Sequence, residues 1–315
     1  MKKAISRAFA PATVANVAVG FDILGFAVKS LGEIAEVEAM PGDPRVLLNP
    51  VDGHPTMPLE AARNTATAGL LQLIKDHQLN FGFRVTLHKQ IPIGSGLGGS
   101  SASAVAAIVA ANGLLKKKLS LAAQLEYAMI GEEVASGARH ADNVAPCLYG
   151  GLVLAQTKPD LMVTPVKVPS ALRCVIALPR MEIRTKDARG ILRSQVALNT
   201  VIEQTSNLAG FLLGCAQNNP KLIHRSLRDV MIEPQRASLV PGFADLQGAA
   251  LEAGALGCSI SGSGPAIFAL AINDLGARKI LQAWKMLADE QGIEIAQWLV
   301  SPISGRGAHL LRGKA

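Results

Sequence analysis

Aromatic residues are scarce in this chain. They make up 4% of 315 residues: two tryptophans, two tyrosines and eight phenylalanines. Proteins that grip single-stranded nucleic acid stack bases on rings, so the shortage argues against that class. Charged residues are also few, at 17%, whereas 49% of the chain is hydrophobic, which excludes a disordered polymer and supports a sizeable core. There are only four cysteines (Cys147, Cys174, Cys215 and Cys258), far apart and without metal-ligand spacing. They read as buried free thiols of a reducing compartment. No apolar run is long and clean enough to span a membrane. The uncharged stretch 254–272 contains Ser-Gly-Ser-Gly-Pro, and Arg7 interrupts the place where a secretory leader needs an apolar run. A cytoplasmic protein with no membrane partner is expected.

What is present is a modest basic excess, +7 overall, without long like-charged blocks. Such a balance suits a phosphorylated small molecule or another anion. The densest cluster, Lys116 to Lys118, reads as a solvated helix end, where cations complement the dipole.

Periodicity and punctuation predict strands over residues 4–8 and 35–40, a helix over 58–77 with Pro58 in its first turn, and a strand over 83–89. Helices follow over 102–116 and 121–136, the second capped by Ser120. Three prolines between Gln156 and Pro169 suggest a domain junction, dividing the chain at 157/158 into residues 1–157 and 158–315. Beyond it come a strand over 173–178, a long helix over 194–217, a helix over 242–252, two strands around a glycine turn over 258–272, a helix over 276–291 and a last strand over 294–299. Strands and helices alternate without a regular βαβ rhythm, which predicts an α+β fold.

Several stretches carry chemistry. "PIGSGLGGSSASAVAA", from Pro92, lies between a predicted strand and a predicted helix. A helix start offers unpaired N–H groups, and glycines let backbone approach an anion closely. The stretch lacks the lysine of a Walker loop, and its G-x-G-x-x-G match is weak alone, so a packed turn competes with a phosphate loop. Glu132 continues the apolar stripe Leu121, Leu125, Ala128 and Met129. A carboxylate there must be paired, neutral or metal-bound. An ion pair with Arg139 and a Mg²⁺ ligand stand even. The loop with His140, Asp142 and Asn143 is polar, and so is the second glycine turn, Gly262-Ser263-Gly264-Pro265. Arg189 and Arg236 are able to grip a carboxylate or phosphate as bidentate forks, although exposed arginine is the default.

Together these residues resemble the GHMP kinases, small-molecule kinases acting on homoserine, mevalonate, galactose and relatives. The glycine-rich stretch is similar to their central P-x-x-x-G-L-G-S-S-A motif, with Gly99 in place of the first serine. "FAPATVANVAVGFDILGFAV", "HADNVAPCLYGG", "TKDAR" and "EPQRASLVPGF" resemble the branch that phosphorylates homoserine, and "GALGCSISGSGPAIFALA" resembles the third family motif. The resemblance implies a two-domain α+β GHMP fold, with an N-terminal domain like a ribosomal-protein domain and a ferredoxin-like C-terminal domain. It implies ATP over Pro92, Ile93, Gly94, Ser95, Gly96, Leu97, Gly98, Gly99, Ser100, Ser101 and Ala102, with further nucleotide contacts from Asn64, Gly262, Ser263 and Gly264. Mg²⁺ is expected on Glu132 and Ser100. Asn16, Asp22, His140, Arg189 and Arg236 are expected to hold L-homoserine, with Asp22 on its ammonium and the two arginines on its carboxylate. Asn143 is expected near the attacking hydroxyl, where related kinases place an aspartate, so no strong base is expected. Asp142 is the rival for that place. The product would serve threonine synthesis, and a homodimer is the expected assembly. A non-catalytic RNA binder is the competing class.

Overall fold

The computed structural model describes residues 4–312. Two antiparallel sheets organise it. The first contains β1 (Ile5–Ala15), β2 (Leu24–Pro41), β3 (Val46–Leu48), β4 (Phe81–His88), β5 (Leu152–Gln156), β6 (Met162–Val166) and β11 (His309–Leu310), with β3 alone running parallel to its neighbour, β4. The second has the order β10 (Ile295–Pro302), β7 (Arg173–Pro179), β9 (Ile267–Ala271), β8 (Gly257–Ile260).

The helices are α1 (Thr65–Asp76), α2 (Gly99–Leu114), α3 (Leu121–Ser136), α4 (Val144–Tyr149), α5 (Thr185–Gly190), α6 (Leu198–Ala216), α7 (Pro220–Ser226), α8 (Glu233–Arg236), α9 (Phe243–Glu252) and α10 (Asp274–Gln291). The second half reads βαββαβ with strand order 4-1-3-2, the ferredoxin-like arrangement, once α5 to α9 are taken as one long crossover.

Helix α2 explains much of the first half. Residues 101–111 are buried without interruption, so the helix has no polar face. Its alanines and serines let β1, β2, α1 and α3 approach closely around it. A helix apolar all round belongs in a core. The edge-on contact of Phe26 with Phe268, centroids 6.1 Å apart, joins this core to the second sheet. A separate core, built on Trp284 and Phe243, lies between that sheet and α9 and α10.

Three expectations need correction. The helix expected over 58–77 starts only at Thr65. Asn64 caps it by accepting the Ala66 N–H at 2.9 Å, and Pro58 lies outside it. The strand expected over 35–40 is the second half of the 18-residue β2, whose first half pairs with β5 while its second pairs with β4. The expected junction at 157/158 lies between β5 and β6, which pair as a hairpin. Helices α5 and α7 were not expected: each is a short turn held by tertiary contacts rather than by a periodic pattern. Ser120 caps α3 as expected, and the Lys118 ammonium donates to the carbonyls of Gly113 and Leu115 just past α2.

Candidate active site

A cleft of about 610 Å³ lies between the sheets. Its central wall is the loop from Pro92 to Gly98. Five successive carbonyls of this loop are turned into the protein. Gly94 accepts from the Ile183 N–H at 3.2 Å, Ser95 from Ala266 N–H at 3.0 Å, Gly96 from the Ser261 hydroxyl at 2.7 Å, Leu97 from Thr13 N–H at 3.1 Å, and Gly98 from Ala102 N–H at 2.8 Å. A trans peptide points its N–H opposite its C=O. The amides of residues 95–99 therefore turn the other way, and only that of Leu97 is taken locally, by Ser95 Oγ at 3.4 Å. Such a run of outward N–H groups at a helix start is an anion-binding concavity.

Glycine is required here for a steric reason. A Cβ on Gly96, at φ +77°, would stand 2.5 Å from the Ser261 carbonyl and 2.6 Å from that of Gly264. The second glycine turn therefore buttresses the first. Gly262 and Ser263 border the cleft, whereas Gly264 supports Gly96 from behind. Leu97, Ser101 and Ala102 likewise sit behind the cleft wall, while Pro92, Ile93, Gly94, Ser95, Gly96, Gly98, Gly99 and Ser100 border it.

Glu132 reaches this wall from α3. Its carboxylate accepts the Ser101 hydroxyl at 2.6 Å and the Ser100 hydroxyl at 3.2 Å. Arg139 pairs instead with Glu126 at 3.0 Å and Glu133 at 3.9 Å, so the ion-pair reading of Glu132 with Arg139 fails. No group of three His, Cys, Asp or Glu side chains that could hold a metal occurs among the described residues. One carboxylate with a hydroxyl beside a phosphate loop still fits Mg²⁺, which takes one or two protein carboxylates and fills the rest with phosphate oxygens and water.

The opposite end of the cleft is charged. Residues Asn16, Val17 and Ala18 all take left-handed φ, 66°, 46° and 57°, as does Asp22 at 63°. Left-handed valine is strained, and strain of this kind persists where surroundings over-determine it. Here Asn16 accepts the Asp22 N–H at 3.1 Å and donates to the Gly262 carbonyl at 2.9 Å. Both ends of its amide are thus committed to shaping the turn. Asn64 is committed likewise, to Ala66 N–H and to the Pro58 carbonyl.

Asp22 and Arg189 were expected to hold opposite ends of one ligand, and they hold each other. Arg189 donates to Asp22 at 3.0 and 2.7 Å through two nitrogens. His140 Nδ1 lies 3.6 Å from the same carboxylate, while its Nε2 is buried with no partner, and burial lowers the ring's pKa. Arg236 is buried and donates to the carbonyls of Ala188 at 3.1 Å and Gly262 at 2.9 Å. Desolvation and then the charge of Arg189 lower its pKa. Both guanidiniums lie over Phe21, 5.3 and 5.2 Å from its centroid.

Asp142 and Asn143 both border the cleft, ahead of the short helix α4 rather than in a loop leading straight to a strand. Desolvation, then the charges of Asp22 and Glu132, push the Asp142 carboxyl up to about 8. Asn143 Oδ1 accepts the Thr13 hydroxyl at 2.7 Å. Thr13 and Phe21 are the residues that sequence reasoning missed. Both lie inside the quoted N-terminal motif, but nothing in their spacing separates them from core positions. A second missed feature is the buried pair of Lys89 and Glu33, 3.3 Å apart, in which Lys89 also donates to Ser103 on α2.

Models of the GHMP kinases N terminal domain and GHMP kinases C terminal match residues 64–151 and 208–288. A homoserine kinase of Xylella fastidiosa (strain M12) is 42% identical over 307 residues, which is 97% of this chain and 94% of that one. The chain belongs to the homoserine kinase branch of the GHMP kinases. The crystal structure of homoserine kinase from Cytophaga hutchinsonii superimposes with a TM-score of 0.93 at 43% identity, covering 99% of this chain and 98% of the other. The same fold, without the same sequence, recurs in L. major mevalonate kinase in complex with R-mevalonate, at TM-score 0.68 and 15% identity over 95% and 97% of the two chains. That likeness is one of fold alone.

Proposed function

We propose that the protein transfers the γ-phosphoryl group of ATP to the side-chain hydroxyl of L-homoserine, yielding O-phospho-L-homoserine for threonine synthesis. The observation that carries this reading is a single cleft with an anion-binding backbone loop on one wall and Asp22, Arg189 and Arg236 at its end. An amino acid offers an ammonium to Asp22 and a carboxylate to the arginines, and neither mevalonate nor galactose does both. Glu132 and Ser100 would hold Mg²⁺, which neutralises charge on the phosphates when bound.

Asn143 stands where a base would be expected, and an amide takes no proton at neutral pH. Its Oδ1 is held by Thr13, so its Nδ2 is the group left to orient the attacking hydroxyl. Asp142, with its carboxyl pushed up to about 8, is mostly protonated at neutral pH and is a poor base there. Phosphoryl transfer through a loose transition state needs little early proton removal, so positioning and charge stabilisation supply the rate. Gly262 and Ser263 border the same cleft and would add nucleotide contacts, whereas the Asn64 amide, spent on Ala66 and Pro58, would act by shaping the wall.

The four free cysteines, all buried, suit a cytoplasmic setting, and no described helix is long and apolar enough to cross a membrane. A homodimer is the expected assembly, checked by light scattering. The test of function is coupled ADP release across homoserine, mevalonate, galactose and shikimate. Turnover of homoserine well above the others is expected, and its absence overturns the reading.

A further inference from the structure

The bond between Asp22 and Arg189 has a consequence for which alcohols the cleft accepts. The two side chains meet fork to carboxylate, at 2.7 and 3.0 Å, and both are partly withdrawn from solvent. Arg236 lies beside them over the same Phe21 ring, tied only to backbone carbonyls. Around this point face Asp22, Asp142, Arg189, Arg236 and His140. Asp22 pairs directly with Arg189, whereas Arg236 has only carbonyl hydrogen-bond partners and meets the carboxylates of Asp22, Asp229 and Asp142 through space.

We infer that the Asp22–Arg189 ion pair is a selectivity element: it couples recognition of the two charged ends of an amino acid and turns away alcohols that carry an ammonium alone. The inference rests on the amino-acid reading above. An alcohol with only an ammonium must take Asp22 from Arg189. It then leaves the partly exposed Arg189 and the buried Arg236 side by side with neither in direct contact with a carboxylate, and poorly compensated buried charge is unfavourable. An alcohol with only a carboxylate meets Arg236 while Arg189 stays with Asp22. A zwitterion does what neither half does. Its ammonium replaces Arg189 at Asp22, and its carboxylate takes the released Arg189 together with Arg236. Specificity then comes from what the pair does to the wrong ligand as well as to the right one.

The two truncations of homoserine test this directly. 4-Hydroxybutanoate lacks the ammonium and 3-aminopropan-1-ol lacks the carboxylate. Calorimetric titration of the wild-type protein is expected to rank homoserine first, 4-hydroxybutanoate weaker by about tenfold, and 3-aminopropan-1-ol weaker again by roughly a hundredfold. The variant D22N frees Arg189, so it should bind 4-hydroxybutanoate several-fold tighter than wild type and homoserine much more weakly. In an R189M background the same D22N change should bring no gain for 4-hydroxybutanoate, because the gain comes through Arg189. A gain that persists undiminished in R189M shows a simple loss of negative charge and overturns the inference. So does wild-type protein that binds 3-aminopropan-1-ol as well as 4-hydroxybutanoate, a comparison that needs no variant to fold. Failure of the functional reading is separate: it appears as wild-type protein that releases no ADP with homoserine.

Discussion

The Thr13 hydroxyl donates to Asn143 Oδ1 at 2.7 Å, joining residues 130 positions apart. Thr13 also donates its N–H to the Leu97 carbonyl in the glycine-rich loop, so one residue ties that loop to the amide proposed to orient the attacking hydroxyl. This arrangement fixes which end of Asn143 faces the cleft. Replacing Thr13 with valine keeps the bulk and removes the donor, and the amide is then free to rotate. We expect kcat to fall about tenfold, the scale of one lost orienting bond, with KM for ATP little changed. Steady-state kinetics of Thr13→Val check it. An unchanged kcat would mean that Asn143 is held by its backbone alone.

Gly98 lies against the same pair. Its φ is +68°, and an added Cβ would collide with the Thr13 hydroxyl and stand 2.7 Å from Asn143 Oδ1. Gly98→Ala should therefore lose activity by a hundredfold or more, about the effect expected of a catalytic group displaced by an ångström. Gly137→Ala is a control at similar φ with open space around it, and it should lose only some stability. Equal activity losses in the two variants would refute the steric account.

Ser100 and Ser101 are neighbours in sequence with separate tasks. Ser101 is buried and holds Glu132 from behind, whereas Ser100 borders the cleft. Ser101→Ala should lower the stability of the fold by about 1–3 kcal/mol, because it removes a buried donor from a carboxylate. Ser100→Ala should leave melting unchanged and raise the Mg²⁺ concentration needed for half-maximal rate. Thermal melts and Mg²⁺ titrations of both variants separate the roles, and reversed results would exchange them.

Asp142 makes stability depend on pH. Its folded carboxyl is raised to about 8, chiefly by desolvation, above an unfolded value near 3.8. Between those values the folded state holds a proton that the unfolded state releases, so this group's contribution to stability falls as pH rises and levels off above 8. Asp142→Asn removes that slope. Urea midpoints at pH 6 and pH 9 should show wild type losing more than the variant. The variant should also keep kcat within a few-fold at pH 7, since an amide resembles a protonated carboxyl. A collapse of kcat in Asp142→Asn, with Asn143→Ala mild, would identify Asp142 as the base instead.

Much of this was legible in the chain. The helices from Leu121 and over 274–291 carry periodic apolar positions and caps, so their ends were nearly readable. The paired strands around Gly262 to Pro265 are short apolar runs about a turn, which is a local signal. Helix α1 was misread at its start because Pro58 imitates a first-turn proline, while Asn64 is the actual cap. Strand β6 was hidden because its exposed, proline-containing sequence looks like a linker, and only pairing with β5 makes it a strand.

Residue types and local spacing by themselves determined that a glycine-rich turn lies between β4 and α2, that Glu132 sits on the buried stripe of α3, and that two arginines follow in the second half. Those properties are local, written within a few turns of chain. Tertiary structure alone decided three further matters: that Ser261 and Gly264 crowd Gly96, that Ser101 rather than Ser100 holds Glu132 most closely, and that Asp22 and Arg189 bind each other. Each is a contact between segments far apart in sequence. No periodicity records such contacts, because their geometry exists only once two sheets have brought the segments to a common cleft.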